Sequence, residues 1–109
     1  MYAVLFEIDS WLGPQQYVFE GESAYDMLWE LEQIQDLDCL ARMGKSRERS
    51  AEGKKSIKIL EAFLEKRRSG NLTVEDLLML DIHLKLGDLK CITVVEGEEA
   101  IAQLKASIA

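Results

Sequence analysis

His83 is the single histidine of the 109-residue chain and lies two residues from Asp81 in an alternating run, so a strand there would project both side chains from one side. A general base poised near neutrality would most simply be such a histidine. Neither residue has a nucleophile or a glycine-rich loop close by, so the pair reads as a solvent-face contact and no catalytic residue is assigned. Glu98 and Glu99 open an amphipathic segment, where negative charge is favoured at a helix start for dipole reasons alone. Cys39 and Cys91 are far apart, with neither C-x-x-C spacing nor a histidine cluster. They read as buried or half-buried thiols, and no disulfide, metal site or cofactor is expected.

The segment "GKS", Gly44 to Ser46, invites comparison with a phosphate-binding loop of pattern G-x-x-x-x-G-K-[ST]. Cys39 occupies the first glycine position and no strand precedes it, so the turn that would aim backbone amides at a phosphate is missing. Around it, Arg42, Lys45, Arg47, Arg49, Lys54, Lys55 and Lys58 form a basic site that could meet nucleic-acid phosphates, which demand only positive charge and reach. No aromatic residue interleaves them to stack on bases. Residues 44 to 53 are expected to form a solvated, poorly ordered loop, because glycine and serine lie among charges without apolar periodicity.

The basic stretch is conspicuous because the net charge is −7, with 20 acids against 13 lysines and arginines. Residues 1 to 41 hold nine carboxylates and neither lysine nor arginine; residues 42 to 68 hold ten basic residues against Glu48, Glu52, Glu61 and Glu65. Such blocks shape surface potential and partner choice rather than fold. An apolar fraction of 48% is that of a globular protein and argues against disorder. No apolar run approaches the ~20 residues of a membrane span, and the start "MYAVLFEID" lacks a basic n-region and a cleavage site. One cytoplasmic domain over residues 1–109 is expected.

The elements that position these residues follow from periodicity. In "YAVLFEID", Tyr2, Val4, Phe6 and Ile8 alternate onto one face of a strand, with Leu5 opposite; Gly13-Pro14 signals a turn, and "QYVFE" returns as a second strand. Ser23 with Asp26 is a capping-box start, and Ala24, Met27, Leu28, Leu31, Ile34 and Ala41 fall on one side of a helix running to about Arg42. Ile57, Leu60, Phe63 and Leu64 define a second helix over about 54–69, stopped by Gly70-Asn71. Thr73 with Asp76 opens a short third. "LDIHLKLGDLKCITVVE" reads as a hairpin turning at Gly87-Asp88, followed by a terminal helix after Gly97.

"VFEGESAYDML", Val18 to Leu28, and "VVEGEEAIAQL", Val94 to Leu104, share six residues in place at an offset of 76, and the same offset aligns Val4, Phe6 and Ile8 with Leu80, Ile82 and Leu84. The reading is α+β: a duplicated ββα unit (about 1–42 and 80–109) building a four-stranded, mainly antiparallel sheet. Both repeat helices are expected on one face, with the basic loop and helical insert (about 43–79) at one end.

A second stripe on the first helix, Tyr25 and Trp29 with Leu40 and Met43 beyond, points away from its core side and needs cover, from the insert or from a partner. With Asp26, Glu30, Glu32 and Asp36 as an acidic rim, Tyr25 and Trp29 would make a hot spot for a protein with a basic surface or for a second copy. The expected function is therefore a non-enzymatic interaction module. Its concrete form is an inhibitor blocking a basic, nucleic-acid-handling protein, as a phage or mobile-element defence inhibitor or an immunity or antitoxin protein would. Nucleic-acid binding through residues 42–68 is the alternative.

Overall fold

Strand β1, Tyr2–Ser10, is central: it pairs antiparallel with β2, Gly13–Gly21, along its whole length, and on its other side with β4, Asp88–Glu96. The computed structural model describes residues 1–10, 12–47, 50–83 and 88–108. Within them the fold is α+β, a four-stranded antiparallel sheet of order β2-β1-β4-β3 with β3 at Asp81–Ile82, and five helices. The helices are α1 (Ala24–Glu32), α2 (Leu37–Arg47), α3 (Ala51–Ser69), α4 (Val74–Leu77) and α5 (Glu98–Ile108).

Both faces of β1 are buried. Val4, Phe6 and Ile8 point into the main core with Met27, Leu31, Leu60, Leu77 and Ile82, whereas Ala3 and Leu5 form a smaller core with Ile101 and Leu104 of α5. The expected placement of both repeat helices on one face is thus corrected: α1 and α5 cover opposite faces. A register shift causes part of this. Leu5 lies opposite Thr93 but Phe6 opposite Cys91, so Ile92 is an extra residue, 42% exposed. The bulge lets Leu89 and Cys91 before it, and Val94 after it, face the same core, while Val95 turns toward α5.

The glycine common to the two similar stretches has a different reason at each place. A Cβ on Gly21 would come within 2.6 Å of the Asp26 Cβ, so only glycine lets the start of α1 fold back onto the end of β2. Gly97 has open space but a φ of +95°, a backbone that L side chains rarely adopt.

The single long first helix is also corrected. Amides 34 and 35 both turn back to the Leu31 carbonyl, and the chain restarts at Asp36, whose Oδ1 accepts from the Cys39 N–H at 3.0 Å. This break swings Leu37 and Leu40 into the core and leaves Ile34 45% exposed. The expected loop over 44–53 is largely helical: α2 continues through Arg47, and α3 begins at Ala51, capped by the Ser50 hydroxyl accepting from the Gly53 N–H at 3.0 Å. Glu48 and Arg49 lie outside the described residues. A two-residue Gly87-Asp88 turn would set Ile82 opposite Thr93; Ile82 instead faces Leu89, and Asp88 already belongs to β4. The short β3 is tied to α3 by buried Ser56, whose hydroxyl accepts from the His83 N–H at 3.3 Å and donates to the Asp81 carbonyl at 3.5 Å.

Asp76 holds the start of α4, accepting from the Thr73 N–H at 2.8 Å, and takes Lys66 of α3 at 2.7 Å. The Lys66 hydrogen bond first, then that from the Thr73 amide, lower its pKa from the usual 3.8. A depressed carboxylate stabilises the fold above its unfolded pKa and loses that contribution as pH falls through the folded value. Asp76→Asn is therefore expected to be less stable than the native chain at neutral pH, with the gap closing below about pH 4. Urea midpoints across the acid range check it; a constant gap would contradict the linkage.

Candidate functional site

α1 carries all the residues singled out for partner binding except Asp36, and the helix is held from below and at both ends. Ala24, Met27, Leu28 and Leu31 anchor it to the sheet. At its start, Asp26 Oδ2 accepts from the Glu22 and Ser23 amides at 3.0 and 3.2 Å, closing the capping box. At its end, Arg67 of α3 pairs through Nη1 with Glu32 and through Nη2 with Asp38 of α2, the latter at 3.1 Å. Arg67 lies at helical spacing from Leu60, Phe63 and Leu64. A charged residue on an apolar stripe was the sequence signal for this internal bridge. Burial, and then the neighbouring Arg68, lower the guanidinium pKa from 12.5, yet a guanidinium stays charged.

The expected hot spot therefore divides by role. Tyr25 and Trp29, one helical turn apart, stand side by side. Tyr25 is 37% exposed and its hydroxyl oxygen accepts from the Leu72 N–H at 3.0 Å, which clamps it against the loop before α4. Trp29 is 65% exposed. Leu40 and Met43 leave the stripe with the helix break: Leu40 is buried in the core, and half-buried Met43 takes a 3.7 Å sulfur contact from Cys39. Asp26, Glu32 and Asp36 serve as cap, ion-pair partner and cap. Among the described residues, Glu30 is the one of the four rim carboxylates with no such task. The geometry brings Tyr25, Asp26, Trp29, Glu30 and Glu32 onto one helix and sets Asp36 apart in the linker.

The basic site is less concentrated than the sequence implied. Lys45 pairs with Glu61 at 3.2 Å, Arg68 with Glu65 at 2.9 Å and Lys66 with Asp76. Arg42, Lys54, Lys55 and Lys58 are exposed and have no ion-pair partner among the described residues; Arg49 and the side chain of Arg47 lie outside them. An open cleft of about 600 Å³ runs between α2 and α3, where Arg42, Lys45, Lys58 and Arg68 stand among Asp38, Glu61 and Glu65. Mixed signs at such spacing give a weak net field.

Other chemistry is sparse. His83 Nε2 lies 2.8 Å from Asp81 Oδ1, both side chains about half exposed at the sheet edge. Burial pushes the Cys91 thiol up to about 12, which makes it inert as a nucleophile. Among the described residues no cluster of three potential metal ligands occurs, and no helix is long and apolar enough to cross a membrane. No protein-family model matches the chain, and comparison with the curated proteins and with the solved structures found no match.

Proposed function

We propose that this chain is a non-enzymatic interaction protein that docks a partner protein on the outer face of α1, with Trp29 as the anchor. The observation that carries the reading is the 65% exposure of Trp29 on a helix that is capped, bolted by Arg67 and buried along its opposite face. A large aromatic side chain held on a rigid element loses little entropy on binding, and such residues supply most of the energy of protein interfaces. A tryptophan with no role in its own core has no folding reason to stay exposed there.

Charge supports the class of partner. Asp26, Glu32 and Asp36 are occupied, but a carboxylate that caps a helix keeps its charge, and Arg67 balances only one of Glu32 and Asp38. They steer at long range, and Glu30 is left for direct contact. The fitting occupant is a basic surface, and a small acidic protein seated there would act as an inhibitor of a nucleic-acid-handling partner. A second reading, direct nucleic-acid binding, is favoured by Arg42 and Lys58, which share one open cleft and have no ion-pair partner among the described residues. Salt-dependent retention of the purified chain on immobilised duplex and single-stranded nucleic acid separates the two. The proposed function expects the chain to flow through, and expects capture from source cells to yield a basic protein whose association is slowed by Glu30→Lys. Retention that is lost on neutralising Arg42, Lys54, Lys55 and Lys58 would overturn it.

A further inference from the structure

The structure assigns the free edge of β2 as a self-pairing surface, through which two copies of this chain join their sheets antiparallel about a two-fold axis at Tyr17. Of the two edges of the sheet, β3 has only two described residues, whereas β2 has nine in unbroken register with β1 and no strand beyond it among the described residues. Edges are normally blunted by brevity, bulges, lysines or proline. Of these devices, the described residues of β2 carry Pro14 at one end.

The direction of the free backbone groups follows from one bond. Gly97 N–H donates to the Met1 carbonyl at 3.1 Å, so Met1, and by alternation Ala3 and Leu5, direct their backbone groups toward β4. Tyr2, Val4, Phe6 and Ile8 then serve β2, where their opposites are Gly21, Phe19, Tyr17 and Gln15. The groups left facing outward belong to Pro14, Gln16, Val18 and Glu20. Proline, which has no N–H to donate, sits at an outward position where β1 asks nothing of it.

These outward groups are self-complementary. The register that overlaps all of Gly13–Gly21 places Tyr17 opposite the second copy's Tyr17. Gln16 and Val18 then exchange both hydrogen bonds with the second copy's Val18 and Gln16, and each Glu20 N–H meets the second copy's Pro14 carbonyl. Charge allows the approach. In a chain of −7 the only charge on β2 is Glu20, and Lys105 of α5 neutralises it at 2.9 Å. The side chains fit as well: Tyr17 and Phe19 stack at 6.1 Å on the main-core face, half-buried, and pairing would continue that row across the axis. A strand-mediated two-fold contact of this kind is isologous and closes at two copies.

Sedimentation equilibrium over a concentration series is expected to give a mass twice that of the single chain. Gln15→Lys/Gln16→Lys, which sets like charges about the axis, and Gln16→Pro, which removes an outward N–H, are expected to give the single-chain mass with an unchanged circular dichroism spectrum. In a Cys39→Ser background, Tyr17→Cys should form a disulfide between copies, because residues opposite at a non-hydrogen-bonded position lie about 4.5 Å apart at Cα. Gln103→Cys, on exposed α5, serves as the control that should not. A single-chain mass at every concentration, a dimer that survives the double lysine substitution with its fold intact, or no preferential cross-link at residue 17 would each overturn the assignment.

Discussion

Phe6→Ala is expected to lower the free energy of unfolding by about 3 to 5 kcal/mol, the range for emptying a buried phenylalanine site. Phe6 is fully buried at the middle of the central strand, flanked across the sheet by Tyr17 and Cys91, with the Phe19 ring 6.0 Å away. It faces the layer to which α1, α2, α3 and α4 all contribute, so no single helix can settle into the space without dragging the others. The residual cavity therefore persists, and the lost transfer energy and the lost contacts add. Small domains hold about 5 to 15 kcal/mol in total, so the loss would remove about a fifth of the margin or more. Denaturant titration reads it directly as a lower midpoint at unchanged slope. An unchanged midpoint would mean that the even-numbered face of β1 is not buried.

The same strand shows how far periodicity carries. Phe6, Leu31, Leu60 and Ile82 were legible as core because each sits in a regular alternation or helical stripe, and all four are fully buried. Val18 and Val94, apolar residues of the same sheet, are only half-buried, because one lies on the edge strand and the other beyond the bulge. The bulge at Ile92 was hidden, since an extra residue in a strand costs the sequence nothing but a shift of phase. Ala3 and Leu5 are buried beneath α5, yet β1 alternates well enough to pass for a strand with one wet face.

At the candidate site the legible part was Trp29 and Tyr25, large aromatics off the core stripe. What periodicity could not supply was the use made of the carboxylates. Asp36 reads as rim until the helix is seen to break there, and Glu32 reads as rim until Arg67 arrives from thirty-five residues away. Glu32 depends on a contact distant in sequence, the class that local patterns do not encode, whereas the Asp36 cap is local and was hidden by an apolar stripe that runs on past it to Ala41. The basic segment failed for the opposite reason. Its glycine and serine looked like loop chemistry, but buried Gly53 and Ser56 lie on α3's inner face, where small residues permit close approach.

Trp29→Ala is expected to leave folding nearly untouched and binding severely impaired, and the contrast between the two readouts is the point of the substitution. A side chain 65% exposed contributes little to its own core, and surface truncations of this kind change stability by about 0.5 kcal/mol or less. An interface anchor lost to alanine costs about 2 kcal/mol or more, which is about thirtyfold in affinity. The loss should appear as faster dissociation, because the ring acts after encounter, whereas Glu30→Lys should slow association and weaken its salt dependence. Tyr25→Phe separates the neighbour's role: it removes the acceptor for the Leu72 amide while keeping the ring, so it should loosen the loop before α4 and affect binding less than Trp29→Ala. Surface plasmon resonance against the captured partner, with melting curves in parallel, distinguishes these outcomes. Unaltered dissociation from a folded Trp29→Ala protein, with binding lost instead on neutralising Arg42 and Lys58, would move the working surface from α1 to the cleft between α2 and α3.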